Sequence, residues 1–185
     1  TIFPQKQICQ IGGNSPALCG QAVAKLTSDY YNYDEINLNI DCPSDRVSGE
    51  REFGAILMTK VDTSYRILES MQQNIIAGKN NKAQISVKCR IGVDDFDDLD
   101  FCANFIERLL PVCNRFYLHA RKCVLGGVMN ARQNRSIPPL NYPRVYELCE
   151  RFPTVDFWIN GGIRTLEDAK DICYGVEEDD DEEVL

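Results

Sequence analysis

Ile36-Asn37-Leu38-Asn39-Ile40-Asp41-Cys42-Pro43-Ser44-Asp45-Arg46-Val47 is the stretch on which the fold turns. Apolar and polar residues alternate through Ile40 with the period of a strand, and the run then stops at a thiol followed by proline, which cannot donate to a ladder. A cysteine is thereby set at the mouth of a strand spanning 35–39. Four more runs of strand length, 7–10, 85–90, 116–119 and 156–160, are bounded by Gly, Pro, Asn or Asp.

Helical signals lie between the runs. Ser15-Pro16 offers an N-cap before a proline in the first turn of a helix leading to Leu26. Ile67, Leu68, Met71 and Ile75 share one face at helical spacing. Asp97 is placed to cap a third helix ending near Leu110, 142–152 reads as a fourth, and Thr165-Leu166-Glu167-Asp168 opens a fifth. Strands alternating with helices predict an α/β fold with a parallel sheet, because parallel neighbours need a crossover. Near-continuous apolar strands predict burial on both faces. Gln10, Asn39, Cys42, Lys88, Arg90, His119, Arg121 and Asn160 all fall at C-terminal strand ends, the rim on which a (β/α)8 TIM barrel carries its chemistry. A doubly wound sheet would gather ligands at one switch point instead. Such barrels typically need about 250 residues, so five strands of eight predict an incomplete barrel.

One domain is expected from 185 residues with 44 % apolar content. No apolar run approaches the roughly 20 residues of a membrane span, and no signal sequence opens the chain, so a soluble cytoplasmic protein is expected. Nine cysteines without a Cys-x-x-Cys pair predict reduced thiols, with Cys9, Cys19, Cys102, Cys113, Cys149 and Cys173 as ordinary buried residues. A single histidine leaves little to build a metal site from, and none is expected. The net charge of −8 is uneven: Glu177 to Glu183 hold seven of the 28 acids, leaving 21 against 20 bases. The expected organisation is a domain over 1–176 and a disordered acidic tail over 177–185, since such a block repels itself and cannot be a barrel strand. From Arg108 to Tyr146 there is no acid but seven bases: Arg108, Arg115, Arg121, Lys122, Arg132, Arg135 and Arg144.

Taken singly, the rim residues allow plain readings. Lys88 and Arg90 could snorkel to solvent, and a lone His119 is as readily structural as functional. Cys42 is largely protonated in its ordinary state and suits an acid, and Asp41 would disfavour a thiolate there if its carboxylate turned the same way.

Read together, five blocks in order carry more. The Cys42 loop, Gln10-Ile11-Gly12-Gly13, Val87-Lys88-Cys89-Arg90-Ile91-Gly92, His119-Ala120-Arg121-Lys122 and Asn160-Gly161-Gly162-Ile163 resemble the tRNA dihydrouridine synthases, particularly the A-type branch, over about residues 5–176. The resemblance implies an FMN-dependent, NADPH-reduced enzyme that converts uridine of the tRNA D-loop to 5,6-dihydrouridine. Hydride would pass from flavin to C6, and Cys42 would protonate C5. It further implies flavin contacts from Gln10, Lys88 and His119, with Lys88 at the anionic N1–C2 edge, and a phosphate seat at Asn160, Gly161 and Gly162. Asn39 would sit between flavin and target base, Arg121 near the substrate, and Arg132 and Arg135 on tRNA phosphates. A monomer is expected. Asp41 departs from the family, which usually has glycine there, and this raises the question of the loop's backbone geometry. The family's first strand, its last two with a Gly-Arg phosphate site and its C-terminal helical domain have no counterpart, so this chain alone is expected to bind FMN weakly. The rival readings are a small-molecule flavin reductase of dihydroorotate dehydrogenase type, against which the seven-base stretch speaks, and a catalytically dead RNA-binding fragment.

Overall fold

The computed structural model describes residues 6–28, 31, 33–77 and 82–174. They form one parallel sheet of β1 (Ile8–Ile11), β2 (Glu35–Ile40), β3 (Gln84–Arg90), β4 (Arg115–His119) and β5 (Asp156–Asn160), in the order β1-β2-β3-β4-β5. Helices α1 (Pro16–Leu26), α2 (Val61–Ala77), α3 (Leu99–Leu109) and α4 (Tyr142–Arg151) connect successive strands, and α5 (Leu166–Tyr174) follows β5. Every strand lies within one residue of its position in the sequence reading. Sequential parallel order with right-handed crossovers puts all helices on one face, the arrangement that curls into a barrel. The sheet here is open: among the described residues β1 pairs only with β2, and β5 only with β4.

Strands β2 to β4 are largely buried on both faces, as expected, but only one of those faces is apolar. Ile36, Leu38, Ile40, Val87, Cys89, Phe116 and Leu118 are buried in one core with Val23, Leu68, Met71, Phe105, Ile106 and Leu148 of the helices. The alternate residues face the other way and are polar. Asn37 Nδ2 donates to Ser86 Oγ at 2.8 Å, and Glu35 accepts from Ser86, Tyr117 and Arg115 at 2.5, 3.0 and 2.7 Å. Helices cover only one face, so on the other the strands must satisfy one another's polar groups. Each fully buried aliphatic side chain contributes roughly 1.5–3 kcal/mol, whereas ion pairs taken out of water come close to breaking even. The helix-side layer therefore holds the sheet.

Local chemistry sets the helix starts. Ser15 Oγ accepts from Leu18 N–H at 3.4 Å before α1, and α5 opens on a capping box in which Asp168 N–H donates to Thr165 Oγ1 while the Asp168 carboxylate accepts from Thr165 N–H, both at 2.9 Å. The cap of α3 is Asp98, accepting from Phe101 N–H at 2.7 Å, and not Asp97. Asp97 is taken by Arg144 at 2.5 Å and Lys122 at 3.1 Å. Which of two adjacent aspartates caps is decided by cations far along the chain.

All nine cysteines are free. Cys19, Cys102 and Cys113 are buried, but Cys149 and Cys173 are exposed and Cys9 is half-buried, contrary to the sequence reading. Cys149 and Cys173 lie on α4 and α5, the latter with no fully buried residue. Burial pushes the Cys102 and Cys113 thiols up to about 12, which leaves them inert at neutral pH. No helix among the described residues is long and apolar enough to cross a membrane. The acidic run and the boundary at 176 lie outside the described residues.

Candidate active site

The Cys42 loop is built from Asn39. Its Oδ1 accepts the backbone N–H groups of Asp41 at 3.1 Å and Cys42 at 3.0 Å, an Asx turn that ends the strand, and its Nδ2 donates to Gln10 Oε1 at 3.1 Å. The Cys42 carbonyl accepts from Ser48 Oγ at 2.7 Å and from Ala55 N–H at 3.0 Å. Ser48 belongs to a single π turn, Asp45–Gly49, and Ala55 to a 3-10 segment, Gly54–Thr59. Gly54, at φ +75°, lets the returning chain lie against this loop, since a Cβ there would stand 2.6 Å from the Cys42 carbonyl oxygen. The half-buried thiol thus sits on a backbone fixed by four hydrogen bonds from two directions.

Asp41 does not point at the thiol's chemistry but at its neighbours' cations. Oδ2 lies 3.0 Å from Lys88 Nζ, and Oδ1 lies 2.6 Å from Arg90 Nε and 3.4 Å from His119 Nδ1. The Arg90 contact is close but out of line for a hydrogen bond, and 3.4 Å is long for one, so the cluster is held chiefly by charge. Burial by itself would raise the Asp41 carboxyl; the His119 contact and the charges of Lys88 and Arg90 outweigh it and hold the group well below the usual carboxylate range. Burial drives the His119 imidazole below its ordinary value, so it is neutral at pH 7 although Asp41 opposes the shift. The backbone question raised by Asp41 is also answered: among the described non-glycine residues only Glu52 and Asp94 have positive φ, so Asp41 occupies ordinary conformational space.

Arg90 is the residue that snorkelling would have carried to solvent. It is instead 1 % exposed, and its Nη1 donates to the Asn134 carbonyl at 2.9 Å and the Lys122 carbonyl at 3.4 Å. Asn134 is fully buried; its Oδ1 accepts from Val124 N–H at 2.7 Å and its Nδ2 donates to the carbonyls of Val124 and Met129, each at 3.0 Å. The 3-10 turn Gln133–Arg135 is thereby pinned to the rim, with Arg132 and Arg135 exposed on its outside.

On the β5 side, Gly161 and Gly162 have φ of +108° and +80° and pack so closely that a Cβ on Gly161 would stand 2.6 Å from His119 Cδ2. Tyr142 donates to the Gly161 carbonyl at 2.7 Å. Asn160 is exposed and lies in register with His119. Arg121 donates to the Pro138 carbonyl, while its Nε is buried without a partner.

The structure therefore gathers Gln10, Asn39 and Cys42 in one bonded group, Lys88 and His119 in a second around Asp41, and Gly161 against His119. Arg132 and Arg135 stand apart on their loop. Asp41 and Asn134 were not singled out as site residues by sequence, although Asp41 had been noted as the departure from glycine, and Arg90 was placed on the rim without a role. The cationic stretch is also corrected: Arg108 pairs with Asp62, Arg115 with Glu35 and Asp156, and Lys122 and Arg144 with Asp97. Its argument against a small-molecule reductase now rests on Arg121, Arg132 and Arg135.

Comparison with known proteins supplies what geometry leaves open. Residues 3–176 match the family described as Dihydrouridine synthase (Dus). The chain belongs to this family. It is 43 % identical over 163 residues to the tRNA-dihydrouridine(20/20a) synthase of Escherichia coli strain K12, covering 87 % of this chain and 44 % of that protein. The proteins of the same name from Pasteurella multocida and Shewanella oneidensis are 42 % and 40 % identical over 162 residues, again 87 % of this chain, and 46 % and 45 % of theirs. The chain thus spans about half the length of the curated relatives it matches. The dihydrouridine synthase fold is a TIM barrel, and the five parallel strands with their helices are five units of it.

Proposed function

We propose that this dihydrouridine synthase chain carries the uridine-reducing rim of a tRNA-dihydrouridine synthase, with FMN as cofactor, NADPH as reductant and Cys42 as proton donor. What supports this most is Cys42 itself, a half-buried thiol on a loop fixed by four hydrogen bonds at the C-terminal end of β2. The rim residues fit a flavin. Gln10 uses one N–H and one lone pair internally, leaving one of each for the polar edge of an isoalloxazine. Lys88 keeps 21 % of its side chain exposed at the same rim, and the Arg121 Nε proton awaits an acceptor. Gly161 and Gly162 turn the chain at positive φ just before α5; Asp168 takes the Arg164 and Thr165 N–H groups, so a phosphate here would be seated on the backbone N–H groups of the glycine turn itself.

When bound, the flavin supplies a hydride to C6 of uracil. Cys42 gives the proton to C5, so that the C5=C6 double bond becomes single and the thiolate is reprotonated from solvent. Asn39 fixes the cysteine loop and would sit between the flavin and the target base. His119, neutral at pH 7, orients the β4–β5 side of the site, and Arg121, Arg132 and Arg135 receive tRNA phosphates. The target base must leave its stack to reach the rim. A cytoplasmic location follows from the substrate.

The test is direct. Unmodified tRNA incubated with the protein, FMN and NADPH should yield uridine heavier by two hydrogens on digestion and mass spectrometry. Anaerobic reoxidation of the reduced flavin by orotate and not by tRNA would turn the assignment towards a small-molecule reductase.

A further inference from the structure

Three basic side chains from two adjacent strands meet on one carboxylate. Lys88 Nζ, Arg90 Nε and His119 Nδ1 lie 3.0, 2.6 and 3.4 Å from the Asp41 oxygens. Arg90 is 1 % exposed, and from there it reaches the main chain at Asn134. A buried guanidinium beside a half-buried ammonium is unfavourable unless an anion stands between them. Asp41 is that anion, and it is bonded through its own backbone N–H to the Asn39 cap of the cysteine loop.

We propose that Asp41 is a positioning residue: it holds Lys88, Arg90 and His119 in one fixed cluster and lowers by one unit the positive charge the rim offers to an anionic ligand. With the flavin reading above, on which this part rests, that ligand is the anionic edge of a reduced isoalloxazine. The groups that face His119 are Asp41 following β2 and Lys88 and Arg90 on β3, while Asn160 at the end of β5 and Gly161 after it bring no charge. Burial lowers the imidazole, Asp41 opposes that shift, and Arg90 and Lys88 reinforce it.

His119 is the chain's single histidine, so its ring resonances report this cluster without overlap. The 185-residue chain, Asp41→Asn, Asp41→Glu and Lys88→Met are titrated by NMR, with thermal melting alongside to establish folding. Asp41→Asn should lower the His119 pKa, Asp41→Glu should bring it back towards the parent, and Lys88→Met should raise it. An unchanged or raised value in folded Asp41→Asn overturns the role of Asp41; where that variant does not fold, an unchanged value in Lys88→Met does so. FMN binding is measured in parallel for the oxidised and dithionite-reduced forms. Asp41→Asn should favour reduced over oxidised FMN by about tenfold, a rise of about 30 mV in two-electron potential. Equal affinity ratios in parent and variant contradict the charge assignment. Failure of the parent to bind either form, even when joined to the first, seventh and eighth strands of a close relative, overturns the flavin reading instead, and the histidine titration then decides Asp41 by itself.

Discussion

At the scale of single residues, the rim depends on which charges stay put as pH changes. His119 has a folded pKa below its ordinary 6.5, so the unfolded chain takes up its proton first and stability falls as pH drops below about 6.5. Asp41 acts at a lower pH: its depressed folded pKa contributes stability that is fully present above the unfolded value near 3.9 and is lost as pH falls further. Urea unfolding of the parent and of His119→Gln from pH 7 to pH 5 should show a decline in the parent that the variant lacks; parallel curves would contradict it. Cys42, Gln10 and His119 were legible as rim residues because strand ends can be read locally. Asp41 was legible only as an odd residue before the cysteine. Its partners come from β3 and β4, and nothing near it in sequence announces them.

The elements show the same division between local and distant causes. Strand bounds and three helix starts followed from alternation, Ser15-Pro16, the 142–152 reading and the Thr165 box, whereas the choice of Asp98 over Asp97 was made by Arg144 and Lys122. The polar inner face was missed because a strand's apolar half is the louder signal, and which face the helices cover is a property of the whole sheet. Asn134 belongs to this scale, since a fully buried asparagine ties the 130–135 loop to Val124 and Met129. Asn134→Ala leaves a buried N–H and carbonyls unmet and should cost about 2–3 kcal/mol, seen as a lower urea midpoint at constant slope. A shift within experimental error would mean that the loop is not anchored there. Charge reversal at Arg132 and Arg135, for which no carboxylate stands within ion-pairing distance among the described residues, should weaken tRNA binding and flatten its salt dependence while leaving NADPH oxidation intact. Equal loss of both would point to a damaged fold.

For the molecule as a whole, the open sheet is the dominant fact. β1 and β5 present edges, and Ile8 and Trp158 on them are 48 % and 52 % exposed. Residues 1–185 joined to a first, seventh and eighth strand from a close relative should therefore melt higher and hold FMN more tightly than residues 1–185 alone; equal melting and equal yellow colour in both would refute that. The most direct measurement uses this completed barrel and its Cys42→Ala variant. Dihydrouridine formed in tRNA is quantified by mass spectrometry, with flavin absorbance recorded for both proteins. Removal of a general acid should leave the flavin bound and cut dihydrouridine formation by about 10²-fold or more. Undiminished dihydrouridine in the alanine variant would contradict the assignment of Cys42, and with it the account of this rim.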